Sequence, residues 1–173
     1  MYNLSDIQTG DILGVSGTSF LARAIQKFQA IADKDSAFIN HTGIFWWING
    51  RLFVIEAAEK GITITNFDKY LKSKSKLYRF RYIGEVQRNY EKQLEDIFFE
   101  NQNFRYEYLS LFKYQIIRTL FGKWTGGKTD RAMVCHEWTQ KAWNELRGIF
   151  PEWYKGDVSK IYHSMLFQME KIK

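Results

Sequence analysis

Asn49-Gly50 restricts this chain more than any other pair of residues. It lies between two β-prone apolar runs, His41-Thr42-Gly43-Ile44-Phe45-Trp46-Trp47-Ile48 and Arg51-Leu52-Phe53-Val54-Ile55-Glu56. Asn-Gly in that setting is the strongest short-range signal for a two-residue type I′ hairpin, because both turn residues must take positive φ. Such a turn sets a register with Ile48 opposite Arg51, Phe45 opposite Val54, Gly43 opposite Glu56 and His41 opposite Ala58. Phe45, Trp47, Leu52 and Val54 then share one face, and Ile44, Trp46, Phe53 and Ile55 the other. A hairpin apolar on both faces has to be covered on both.

The same alternation brings His41, Gly43, Glu56 and Ala58 to one face. His41 and Glu56 become diagonal neighbours, roughly 7–8 Å apart at the backbone and within reach of a long side chain. Gly43 has no side chain to block a carboxylate leaning toward the imidazole. A carboxylate at the end of an apolar strand is costly unless it is paired. Glu56 emerging into solvent is the alternative, and the pair with His41 is the expectation.

Far downstream stands the one cysteine of the chain, Cys135. It opens Cys135-His136-Glu137-Trp138-Thr139-Gln140-Lys141-Ala142-Trp143, which reads as the first turns of a helix after the polar, Gly-rich loop Thr125-Gly126-Gly127-Lys128-Thr129-Asp130. A thiol at a helix N-terminus feels the positive end of the macrodipole, which favours the thiolate. The other fate of a lone cysteine is burial as a small apolar residue. Thiol, imidazole and carboxylate together are the set that cysteine chemistry needs. The histidine shares the thiol proton, the acid fixes the imidazole tautomer, and the thiolate attacks a carbonyl. Backbone N–H groups at the helix start stabilise the developing oxyanion.

Five short motifs follow one another in this order: Gly10-Asp11-Ile12-Leu13, Asn40-His41-Thr42-Gly43-Ile44-Phe45, Val54-Ile55-Glu56-Ala57 with Gly61, Tyr106-Glu107-Tyr108, and Cys135-His136-Glu137. The series resembles the circularly permuted branch of the NlpC-type papain-fold peptidases, the YiiX-like proteins, related more distantly to lecithin–retinol acyltransferase-like enzymes. It runs from about Gly10 to the Asp157-Val158 region, and its specificity lies in order and spacing. The resemblance implies an α+β, permuted papain-like fold, a central antiparallel sheet or small barrel packed by helices. It implies Cys135 as nucleophile, His41 as base and Glu56 as the orienting third residue, and it makes Tyr106 a candidate for the cleft wall. His136 departs from the family, where a small hydroxylic residue usually follows the cysteine. An imidazole there narrows the cleft or adds a donor beside the oxyanion site. The implied activity is hydrolysis of an amide in a small or cell-wall peptide through an acyl-enzyme. The same triad also serves ester, thioester or acyl-transfer chemistry on a lipid-like substrate, and a non-catalytic binding module keeping the fold is the third option.

At 173 residues, with one proline and no low-complexity linker or internal repeat, the chain reads as a single domain over 1–173. One cysteine excludes an intrachain disulfide. The N-terminus lacks a charged region followed by an apolar core, and no run approaches the ~20 apolar residues of a membrane span, so the expected address is the cytoplasm. His41, Cys135, His136 and His163 show no close ligand spacing, so neither metal nor cofactor is expected. The net charge of +6 gathers partly at Lys69, Lys72, Lys74, Lys76, Arg79 and Arg81. These alternate with Leu71, Tyr78, Phe80 and Tyr82, which reads as a solvated strand face rather than a nucleic-acid groove. A basic surface would also suit an anionic substrate.

Periodicity assigns strands to Asp11–Ser16, Gly61–Thr65 and Lys76–Ile83, beside the hairpin. A helix over Ser19–Ala32 is expected to bury Phe20, Ala24, Phe28 and Ile31 and to expose Arg23 and Lys27. A second helix buries Val86, Tyr90, Leu94, Ile97 and Phe98. Further helices are expected over Glu107–Phe121 and near Val158–Tyr162. Trp138 and Trp143 are expected in the core, and His163 at the surface or in packing. Strands in mid-chain with helices on either side make the class α+β.

Overall fold

Asn49 and Gly50 both adopt positive φ, 48° and 73°, as a type I′ turn requires. The turn joins β2 (His41–Ile48) to β3 (Arg51–Ala58), and the register follows the expectation from Ile48↔Arg51 through Phe45↔Val54 to Ile44↔Ile55. The paired ladder ends there, short of the anticipated Gly43↔Glu56 and His41↔Ala58 pairs. In this computed structural model the described residues are 4–32, 37–83, 90–103, 105–106, 132–133, 135–147 and 167–173.

Around the hairpin grows a six-stranded open sheet in the order β4-β3-β2-β1-β5-β8, with every neighbour antiparallel. The remaining strands are β1 (Ile12–Ser16), β4 (Gly61–Asn66), β5 (Lys76–Tyr82) and β8 (Phe167–Lys171). Of the two forms anticipated, an open sheet or a small barrel, the sheet is the one observed. The class is α+β. The helices are α1 (Phe20–Ala32), α2 (Asp68–Lys72), α3 (Tyr90–Asn101) and α4 (Cys135–Arg147). A short parallel pair, β6 (Arg105–Tyr106) and β7 (Ala132–Met133), leads into α4.

The two apolar faces of the hairpin seed two separate cores. Ile44, Trp46 and Ile55 pack with Ile12, Phe80, Tyr90, Leu94 and Ile97, and with Trp138, Ala142, Trp143 and Leu146 of α4. Phe45, Leu52 and Val54 pack on the other side with Ile7, Leu13, Val15, Phe67 and Leu77. Each fully buried large side chain contributes on the order of 1.5–3 kcal/mol. Trp138 and Trp143 are core residues, as expected. On α3 the anticipated stripe holds for Tyr90, Leu94 and Ile97, while Phe98 is half-buried; Val86 lies outside the described residues.

Three expectations change. On α1, Phe20 is 90% exposed, whereas Ala22 is buried. Helical periodicity could not say which stripe faces inward. Ser19 caps the helix by accepting the Ala22 N–H at 3.1 Å, and Gln26 donates to Ser16 Oγ and the Phe38 carbonyl, so polar contacts orient it. Arg23 and Lys27 are exposed as expected, and the Phe28 and Ile31 side chains lie outside the described residues. The four lysines of the basic cluster are exposed, but on β5 Arg79 is buried and Arg81 half-buried. Arg79 pairs with Glu170 of β8 and donates to the Asp6 carbonyl; Arg81 pairs with Asp11 at 2.8 Å. The basic cluster is therefore partly neutralised within the fold. Strand β8 was not anticipated, because its Phe-Gln-Met-Glu-Lys pattern is polar enough to pass for tail. The helices expected over Glu107–Phe121 and Val158–Tyr162, and His163, lie outside the described residues.

Candidate functional site

The site forms where β2 begins and the two cores meet. Asn40 fixes that point: its N–H donates to the Val15 carbonyl at 3.0 Å, and its Oδ1 accepts from Gly17 N at 2.6 Å. His41 follows as the first residue of β2 and pairs with Val15 of β1. Glu56 comes from β3, two residues beyond Val54 and on the same face. A Cβ at Gly43 would land on Val54 Cγ1 and lie 3.2 Å from Glu56 Cβ, so only glycine leaves the carboxylate its path. The structure brings His41 and Glu56 together: Nε2 of the imidazole meets Oε2 of the carboxylate.

Cys135 approaches from the opposite layer. It is the first residue of α4, and α4 packs on the face that carries Ile44, Ile55 and Ala57. Its sulfur is near enough to His41 to act on it electrostatically and raise the imidazole pKa. His41, at the strand end, thus bonds a carboxylate from the neighbouring strand and feels the thiol carried by α4. A buried hydroxyl pair ties these layers one residue from the histidine. Thr42 Oγ1 donates to Thr139 Oγ1 at 3.1 Å, and Thr139 lies one helical turn beyond Cys135.

The electrostatics follow from these contacts. Burial works against a charge on His41, but the Cys135 sulfur and the Glu56 carboxylate outweigh it and hold the imidazole pKa up at about 10. For Glu56, burial pushes the pKa upward, yet donors from His41, Thr65 and Tyr70 overcome it and hold it below the usual carboxylate range. Glu56 is 4% exposed, so the solvent-facing alternative does not apply.

Two partners of Glu56 were absent from the sequence reading. Tyr70, on α2, donates its hydroxyl to the same Oε2 that meets His41. Thr65, two residues along β4 from the Glu56 partner Thr63, also helps to lower the pKa of the carboxylate. No local pattern marks Tyr70, because its approach depends on a five-residue helix folding back under the sheet edge. Thr139 was legible in principle, being four residues after Cys135 and on the same helix face.

A cleft of 350 Å³ opens over the pair, lined by His41, Glu56 and Tyr70, with Leu21 and Ile25 of α1 and Lys69 of α2 on its walls. Cys135 is 2% exposed and is not among the residues that line this cleft. Tyr106 and His136 belong to β6 and to the first turn of α4, and their side chains lie outside the described residues.

No protein-family profile matches the chain, and no curated protein matches it. A solved structure does: the crystal structure of the metalloprotein YiiX from Escherichia coli O157:H7, with a TM-score of 0.68 over 96% of this chain and 97% of that one. The fold is YiiX-like. At 15% identity the likeness extends to the fold alone. Among the described residues, no group of three or more His, Cys, Asp or Glu side chains is placed to hold a metal ion. Nor is any helix among the described residues long and apolar enough to cross a membrane.

Proposed function

We propose that this chain is a cysteine hydrolase of the circularly permuted, NlpC-type papain-like class, cleaving an amide in a small or cell-wall peptide. The observation that carries the reading is His41, held between the Glu56 carboxylate and the Cys135 sulfur at the foot of a cleft. With Nε2 committed to Glu56, Nδ1 is the ring nitrogen left for the thiol. An imidazole whose pKa is raised to about 10 by those two neighbours is an imidazolium at neutral pH, matched to a Cys135 thiolate.

In this mechanism the thiolate attacks the amide carbonyl carbon, and the electron pair moves to oxygen, toward N–H groups at the start of α4. Collapse breaks the C–N bond, and the imidazolium gives its proton to the departing amine. The product is a thioester on Cys135 and a neutral His41. Water then gives a proton to His41 as its oxygen attacks the thioester, releasing the acid and restoring the thiolate–imidazolium pair. Glu56 supports the imidazolium at both stages. Tyr106 and His136 remain proposed substrate contacts on the resemblance alone.

A second reading rests on a specific observation, the 2% exposure of Cys135. A buried thiol suits a binding module of the same fold. Iodoacetamide labelling of Cys135, followed by intact mass across pH, separates the two. At pH 6 an ordinary thiol of pKa about 8.5 is only about 0.3% ionised. The hydrolase reading expects labelling far above that baseline, with at least a tenfold loss in His41→Ala and a smaller loss in Glu56→Gln. Incubation with peptidoglycan fragments, peptide amides, esters and thioesters should leave an acyl mass on Cys135 from the preferred class. A Cys135 inert to iodoacetamide in the folded protein favours the binding module and overturns the hydrolase.

A further inference from the structure

We propose that Tyr70 is a positioning residue of this site, donating its hydroxyl to the Glu56 oxygen that faces His41 and so holding that carboxylate ionised and turned toward the imidazole. The inference rests on the thiolate–imidazolium reading above and adds to it a fourth residue.

The geometry leaves Tyr70 little freedom. Its N–H donates to the Phe67 carbonyl at 2.9 Å, and its carbonyl accepts from Ser73 Oγ at 2.7 Å and Ser73 N at 3.1 Å. Lys173 Nζ donates to the Leu71 and Ser73 carbonyls and ties the end of α2 to the segment that follows β8. The phenol ring lies 6.1 Å from Phe67, whose own ring meets Phe45 edge-on at 5.1 Å. A chain of rings therefore runs from the core to the carboxylate.

The chemistry of the bond follows from its neighbours. Oε2 of Glu56 faces both the Tyr70 hydroxyl and His41 Nε2. Burial raises the pKa of Tyr70 well above the ordinary phenol range, and the charges of Glu56 and Cys135 add to that. A phenol that keeps its proton acts on a carboxylate as a donor. Two donors on one oxygen favour the anionic carboxylate, which is the state needed beside an imidazolium. Without the phenol, Glu56 at 4% exposure loses one of its donors and protonates more readily. Once Glu56 is neutral, His41 loses its counter-charge and the thiolate its partner.

The experiment is the pH dependence of iodoacetamide labelling of Cys135 in wild type, in Tyr70→Phe, and in protein carrying 3-fluorotyrosine at position 70. Melting temperature is read on the same samples. Tyr70→Phe should move the acid limb of the profile to higher pH by about half to one unit, a three- to tenfold slower reaction on that limb. The fluorinated phenol keeps the ring packing, donates more strongly, and should move the limb the opposite way. It keeps the test decisive if Tyr70→Phe folds poorly. Profiles that superimpose on wild type overturn the role of Tyr70 while leaving the hydrolase reading intact. A wild-type profile that follows an ordinary thiol, with no reactive plateau below neutral pH, overturns the reading itself and this inference with it.

Discussion

Gly43→Ala isolates a purely spatial demand, and Gly50→Ala is its conformational counterpart in the same hairpin. At Gly43 an added Cβ falls on Val54 Cγ1, 2.9 Å from the Ile55 carbonyl oxygen and 3.2 Å from Glu56 Cβ. Val54 is fully buried and the carbonyl belongs to the neighbouring strand, so neither yields without moving β3. Overpacking of this kind costs about 1–3 kcal/mol, and contact with backbone puts this site at the upper end. Loss of glycine's freedom in the unfolded chain offsets about 0.4–1 kcal/mol. The net is a destabilisation of about 2 kcal/mol. At Gly50 nothing lies within 4 Å of the added Cβ, but φ is +73°. The left-handed conformation alone costs alanine about 1–2 kcal/mol. For a chain of this size each kcal/mol lowers the melting temperature by about 2–4 °C. Gly43→Ala should therefore melt about 4–8 °C below wild type and Gly50→Ala about 2–8 °C below. Temperature is only half of the assay. The Gly43 substitution presses on Glu56 and should slow iodoacetamide labelling of Cys135, whereas Gly50→Ala, at the far end of the hairpin, should leave labelling unchanged. Equal labelling rates in the two variants, or a Gly43→Ala protein as stable as wild type, would refute the argument that glycine is required there for space.

Two further outcomes follow from contacts already described. Thr139→Val strands the buried Thr42 hydroxyl and should cost about 1–3 kcal/mol in urea denaturation, while the double change to valine at 42 and 139 should recover much of it; equal losses would show that the hydroxyls do not act as a pair. Glu56, whose pKa is lowered on folding, contributes stability above its ordinary pKa of 4.5 that is lost as pH falls through the folded value. Wild-type melting temperature should thus drop on acidification below about pH 4.5 more steeply than that of Glu56→Gln, and parallel curves would remove Glu56 from the acid-sensitive groups.

Local chemistry made much of the fold readable in advance. Asn49-Gly50 admits one kind of turn, that turn sets one register, and period-2 alternation then assigns Phe45 and Val54 to one core and Ile44 and Ile55 to the other. The pairing of His41 with Glu56 follows from the same rule, since Gly43 clears the space between them. Those inferences span a few residues, where backbone geometry leaves few choices. Whatever depended on distant segments was hidden. The inward stripe of α1 is not legible in the sequence, because Phe20 and Ala22 differ in burial through what packs on them, not through helix periodicity. The pairing of Arg79 and Arg81 is hidden because Glu170 arrives from β8 and Asp11 from the residue before β1. Tyr70 reaches Glu56 only because α2 folds beneath the sheet edge, and Thr42 meets Thr139 only because α4 lies across β2. The sequence by itself determined the hairpin and the histidine–carboxylate pair, since those contacts are set by covalent spacing. The tertiary structure decided which layer delivers the thiol and which donors hold the acid charged, since those contacts exist only once separate elements pack.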